Sequence, residues 1–240
     1  VTGAGHVLGL ADDALLLAQR LGEWVTRAPE IEEDIALGNI ALDLLGQART
    51  LLAYAGDLDG TGRDEDDLAY LRDDREFRNV LLVEIPNGDF AVTMARLLVF
   101  SAYQHALYSA LAHCPDTTLA GLAAKAVKEV SYHRDHATQW VLRLGDGTAE
   151  SHERMQAGLE RVWPYTDELF DPAPDAPVDP ASLRPMWTSY VDDVLARATL
   201  RRPEPAWRSR DGRRGVHTEH LGHLLAEMQH LHRSHPGATW

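Results

Sequence analysis

The chain has 240 residues, 45% apolar and 25% charged, enough for one large domain or two small ones. A formal net charge of −14 repels phosphate backbones and argues against nucleic-acid binding, and no apolar run approaches the roughly 20 residues of a membrane helix. A lone cysteine, Cys114, leaves no internal disulfide and no cysteine-built zinc site within the chain; with no charged n-region at the start of the sequence, a reducing cytoplasm is the expected compartment.

The periodicity is helical nearly throughout. Leu10, Ala14, Leu17, Leu21 and Trp24 recur at steps of four and three, one stripe of a first helix. Asp12 and Asp13 are expected early in that helix, where its dipole favours anions. Pro29 followed by Glu30, Glu32, Glu33 and Asp34 predicts a second helix from about Pro29 to Ala55, closed by Gly56. Leu37, Ile40, Ala41, Leu44, Ala48, Leu51 and Ala55 share one face, and Ile31, Ile35, Leu42 and Leu45 cover another. A helix apolar on two faces is expected to be deeply buried.

An acidic stretch from Asp57 to Glu84 holds another helix from about Asp64. Pro86-Asn87-Gly88 breaks the chain, and Asp89 can cap a third long helix over about Phe90 to Ala112. A fourth spans about Thr118 to Leu144, and shorter ones cover about Ala149 to Val162, Ser182 to Leu200 and His217 to His232. Between them lie a proline-rich loop, 164–181, and a basic loop, 201–215. No strand or repeat signal appears. Two pairs of long helices joined by a long crossover are the plan of an all-α, ferritin-like four-helix bundle with additional helices, expected as a single domain over 1–240.

Bundles of this plan often hold a carboxylate-bridged di-iron centre, which needs a Glu from each of two helices and a Glu-x-x-His from each of the other two. The first helix offers Glu23, off the apolar stripe and better read as a surface carboxylate. The second offers Asp43, but three residues on stands Gly46; Asn39, Asp43 and Gln47 read rather as a hydrogen-bonded polar strip within the bundle or at a partner interface. From Phe90 to Pro115 there is no Asp or Glu. On the fourth helix Glu129, His133 and His136 share a face, yet the residue three after Glu129 is Tyr132. Asp43, Glu129, His133 and His136 are therefore weak metal candidates, and Glu129–His133 is the more ordinary intrahelical pair. Glu227-x-x-His230, with His223, lies opposite a buried face of Leu221, Leu224, Leu225, Met228 and Leu231, so a surface zinc site there is a weak reading. No phosphate loop or nucleophile elbow is present.

Several stretches carry a resemblance: Glu32-Glu33-Asp34-Ile35-Ala36-Leu37-Gly38-Asn39-Ile40-Ala41-Leu42-Asp43-Leu44-Leu45-Gly46-Gln47-Ala48-Arg49, Arg75-Glu76-Phe77-Arg78-Asn79, Glu84-Ile85-Pro86-Asn87-Gly88-Asp89-Phe90, Lys128-Glu129-Val130-Ser131-Tyr132-His133, Arg143-Leu144-Gly145-Asp146-Gly147-Thr148, Trp163-Pro164-Tyr165-Thr166 and His217-Thr218-Glu219-His220-Leu221-Gly222. Together they resemble the phenylacetate-degradation oxygenase family, the bacterial phenylacetyl-CoA 1,2-epoxidases, at its structural or C component. The resemblance implies a complex in which a related catalytic A subunit holds the di-iron centre and epoxidises the ring with O₂, while a separate reductase passes electrons from NADPH. It implies that this chain shares the ferritin-like fold, holds no cofactor or catalytic residue, and pairs with the A subunit as scaffold; Asp43 and Glu129 then stand near where the relative's ligands lie. Two other readings stay open: an active di-iron or iron-binding enzyme in its own right, and a helical binding protein for another partner. Arg201, Arg202, Arg208, Arg210, Arg213 and Arg214 form a basic loop that could dock an acidic partner, reach the CoA phosphates, or balance acidic neighbours in its own chain.

Overall fold

The computed structural model describes residues 2–173 and 175–238, so residue 174 of the proline-rich loop lies outside the described residues. Among the described residues there is no strand, and ten α-helices run in order: α1 (Ala4–Gly22), α2 (Ile31–Asp59), α3 (Glu65–Tyr70), α4 (Leu81–Glu84), α5 (Phe90–Leu111), α6 (Thr117–Gly145), α7 (Ala149–Val162), α8 (Arg184–Arg197), α9 (Glu219–Met228) and α10 (His230–Ser234). The fold is all-helical and of the ferritin-like class, with two long helix hairpins, α1–α2 and α5–α6, joined through the short α3 and α4. None of the described helices is long and apolar enough to cross a membrane. The chain forms two compact units, one of Thr2–Pro86 with the chain from Asp211 on, the other of Asn87–Arg210.

In the first unit α1 lies against α2. Leu10, Ala14, Leu17 and Leu21 of α1 are buried, as are Leu37, Ile40, Leu44, Ala48, Leu51 and Ala55 of α2. The inward stripe of α2 thus follows its periodicity. Its limits do not. The helix begins two residues after Pro29 and runs past Gly56 to Asp59, where Gly60 closes it in the left-handed conformation at φ 66°. Gly56 serves another purpose: a Cβ there would stand 2.3 Å from the Arg63 carbonyl oxygen, so the returning chain needs its bare backbone. α3 starts where its acids predict, with Asp64 and Asp67 forming a reciprocal cap.

In the second unit the Asp89 carboxylate accepts the Val92 N–H at 3.0 Å and starts α5; Asp116 does the same for Leu119 at 2.9 Å and starts α6. α5 is buried nearly all round, which suits a helix without a single carboxylate. α8 is pinned to it by Trp187, whose indole N–H donates to the Val99 carbonyl at 2.8 Å. Thr138 of α6 and Tyr190 of α8 share a hydrogen bond at 2.8 Å, and Arg134 lies over the Tyr190 ring. The proline-rich segment is ordered into 3₁₀ turns at Trp163–Tyr165, Asp167–Phe170 and Pro180–Leu183.

Candidate functional site

The first unit carries a buried ionic core that joins segments far apart in sequence. α1 begins at Ala4, so Asp12 and Asp13 fall in its middle and are 0% and 2% exposed; the expectation that they serve the helix dipole is overturned. Each has a specific partner instead, because a buried carboxylate must be paired. Asp12 is held by both terminal nitrogens of Arg72 and accepts the Arg78 N–H at 2.8 Å. Arg72 is itself buried, donates to the Leu68 and Glu76 carbonyls, and has its guanidinium 4.1 Å from the centre of the Phe77 ring. Asp13 accepts the Val80 N–H at 2.8 Å and Arg213 at 2.6 Å, across 200 residues of sequence.

The third carboxylate, Glu84, is fully buried at the end of α4. It accepts Asn79 Nδ2 at 2.8 Å, His217 Nδ1 at 2.8 Å and the Thr218 N–H at 2.6 Å. The other ring nitrogen of His217 faces the Phe77 carbonyl oxygen at 3.1 Å. An ionised carboxylate and a carbonyl can only accept, so this pair of contacts favours the doubly protonated imidazolium of His217. Burial works against that charge, but the hydrogen bond and charge of Glu84 outweigh it and hold the His217 pKa above the ordinary value of 6.5. Burial likewise pushes Asp13 up to about 6 against the pull of Arg213, and burial with Arg213 nearby brings His6 down to about 4.

These shifts set a pH dependence. A folded His217 keeps its proton above pH 6.5, so its contribution to stability is complete below that value and is lost as pH rises through the folded pKa. Asp13 also binds its proton more tightly when folded, lowering stability as pH rises from about 4 to about 6. His6 binds its proton less tightly when folded and acts in the opposite sense over nearly the same range. His217 therefore dominates on the alkaline side. His217→Gln should flatten the decline of the urea midpoint as pH rises above 6.5; an unchanged slope would show that the ring is not charged in the folded chain.

The weak metal candidates have ordinary surroundings. Asp43 is half-buried on α2, between exposed Asn39 and buried Gln47, so the polar strip grades from solvent to core. On α6, Glu129 meets Lys125 Nζ at 3.7 Å, His133 is 1% exposed, and Tyr132, half exposed, has its ring 5.9 Å from that of His136. Glu23 bonds Arg20 at 2.8 Å. The last predicted helix breaks after Met228. Gln229 turns inward and donates to the Ala69 and Arg72 carbonyls at 3.1 and 3.0 Å; His223 and Glu227 belong to α9 and His230 to α10, and Leu231 is 53% exposed, not buried. Among the described residues no three His, Cys, Asp or Glu side chains gather closely enough to share a metal ion.

Two further surfaces were legible only in part. The basic loop serves its own unit or its own neighbours: Arg202 pairs with Asp192, Arg208 with Asp167, Arg213 with Asp13 and Arg214 with Asp211. Charge reversal at Arg213 would break the ionic core before it touched any docking surface. The second apolar face of α2 is not buried. Ile31, Ile35, Leu42 and Leu45 are 72, 59, 64 and 45% exposed, because α1 and the rest of the unit cover only the opposite side of the helix.

Two comparisons with known proteins bear on this arrangement. The profile described as Phenylacetic acid catabolic protein matches residues 2–240. The chain is 48% identical over 244 residues, covering 98% of each sequence, to a protein of Escherichia coli (strain K12) named as the C subunit of 1,2-phenylacetyl-CoA epoxidase.

Proposed function

The chain belongs to the phenylacetic acid catabolic protein family, and on that premise we propose that it is the non-catalytic structural subunit of a multicomponent cytoplasmic oxygenase that epoxidises phenylacetyl-CoA. The observation that carries this reading is the 48% identity, over 98% of each sequence, to the C subunit of such an epoxidase. The reaction's di-iron centre would sit in a related catalytic subunit with which this chain pairs.

The donor set of this chain supports that division of labour. A di-iron site needs an inward carboxylate from each of the four long helices. α5 has none along its length, and on α6 Tyr132 stands three residues after Glu129, where the motif needs His. The residues present do not fit the metal pair, so no step of the reaction is assigned to them. What the chain does supply is rigidity. Its buried carboxylate Asp12 is tied to Arg72, and Asp13 and Glu84 to Arg213 and His217, which holds the C-terminal segment onto α1 and α4.

Size-exclusion chromatography with iron analysis tests the proposal, on the chain alone and co-expressed with the catalytic subunit. The expected result is an iron-poor chain that enters an iron-containing complex in a fixed ratio. Near-stoichiometric iron in the isolated chain would make it an active di-iron protein, and absence of a complex would remove the scaffold role.

A further inference from the structure

We propose that the outer face of α2 is a docking seam for one amphipathic helix of the catalytic subunit, with basic residues of that helix set against the acidic first turn of α2. This inference rests on the subunit reading above and adds the surface and the chemistry of the contact.

The seam follows from spacing and exposure. Ile31, Ile35, Gly38, Leu42, Leu45 and Arg49 succeed one another at steps of 4, 3, 4, 3 and 4. That alternation lies close to 3.5 residues per step, the period at which one helix lies along another. At 100° per residue this line is opposite the buried stripe of Leu37, Ile40, Leu44 and Leu51. Four large apolar side chains in one row at 45–72% exposure amount to roughly a few hundred Å², the scale at which contiguous apolar surface marks a protein contact.

Two glycines give a second reason. Gly38 lies on the seam and Gly46 beside it, both inside a 29-residue helix where each costs about 1 kcal/mol relative to alanine. A Cβ at either would meet nothing within 4 Å, so nothing in this chain requires their bareness. A helix laid across them does, because interaxial distance shrinks where side chains are small. Gly56 of the same helix, by contrast, is filled by the Arg63 carbonyl.

Charge selects the occupant. The N-terminal end of the seam is flanked by Glu30, Glu32 and Asp34, and its only basic side chain, Arg49, has Nε on Glu65 at 3.1 Å. A second copy would bring together two chains of net charge −14 and set those acids against a single, already engaged Arg49. A different subunit with Lys or Arg along its helix matches the pattern.

The test is the affinity of the purified chain for the catalytic subunit, measured by titration calorimetry and by sedimentation, for the wild type and three variants. Leu42→Lys should weaken association at least roughly tenfold, as should Gly38→Leu, while both isolated variants keep or raise their Tm, because Leu42 is 64% exposed and a Cβ at Gly38 meets nothing within 4 Å. Glu32→Lys should weaken association less and make it less salt-dependent. Wild-type affinity in Leu42→Lys and Gly38→Leu overturns the seam and leaves the subunit reading standing. Self-association of the wild type that Leu42→Lys abolishes assigns the seam to a second copy and overturns the proposed occupant. A wild type that never binds the catalytic subunit overturns both readings.

Discussion

Replacement of Arg72 by alanine is expected to cost the folded chain about 3–5 kcal/mol, because it strands the buried carboxylate of Asp12. The Arg72 side chain is 2% exposed and its partner 0%, so the carboxylate would lose its guanidinium donors away from bulk solvent. The same change frees the Leu68 and Glu76 carbonyls and removes the cation from the Phe77 ring. For a chain of this size the loss corresponds to a fall in Tm of roughly 6–20 °C. Thermal and urea unfolding of Arg72→Ala, Asp12→Leu and the double variant Asp12→Leu/Arg72→Met measure it. The double variant should lose less than Arg72→Ala, since removing both charges leaves neither unpaired. If the double variant loses as much as the two single changes added together, the pair is not what holds this part of the fold.

Trp187→Ala should be nearly as damaging in the second unit, at about 3–5 kcal/mol for the loss of a large buried aromatic. The indole is 2% exposed and lies 5.9 Å from the Trp163 ring and 5.3 Å, edge to face, from Phe170. Phe170 in turn meets Tyr103 of α5 edge to face at 5.7 Å and is capped by the Arg184 guanidinium. Trp187 is therefore the point through which α8 and the 3₁₀ turns of the proline-rich segment are joined to α5. Trp187→Phe keeps most of the ring contacts and loses the bond to the Val99 carbonyl, so it should cost clearly less. Near-UV circular dichroism and urea unfolding separate the two; equal stabilities for Trp187→Ala and wild type would show that the aromatic cluster contributes little.

Arg72 and Trp187 are each buried within their own unit, and neither belongs to the open face of α2. Their replacement should lower stability without changing affinity for a partner in the fraction that stays folded, whereas changes on the seam should do the reverse.

Much of the local structure was readable from the chain. Asp89 marks the start of α5 because an N-cap acts within three residues, whereas the equivalent cap of α6, Asp116, was found only in the structure. The inward stripe of α2 follows from its 3.6-residue period, and the absence of carboxylates from Phe90 to Pro115 needs no coordinates at all. The helix ends that went astray, Pro29 and Gly56, are residues whose meaning depends on context. Gly56 looks like a terminator but is a point of close approach to Arg63.

Partnership was decided elsewhere. Asp12 and Asp13 inside an apolar helix signal that something must neutralise them, but Arg72 and Arg213 stand 60 and 200 residues away and no periodicity points to them. Gln229 breaks the last helix because two carbonyls near residue 70 need a donor. The two apolar faces of α2 look alike in sequence, yet one is covered and the other open. Capping, period and composition act over a few residues, so the helices, their inward faces and the lack of carboxylates on the third long helix could be read from the chain alone. Burial and ion pairing depend on what distant segments bring alongside, so which charges meet, and which apolar face stays exposed, came only from the folded arrangement.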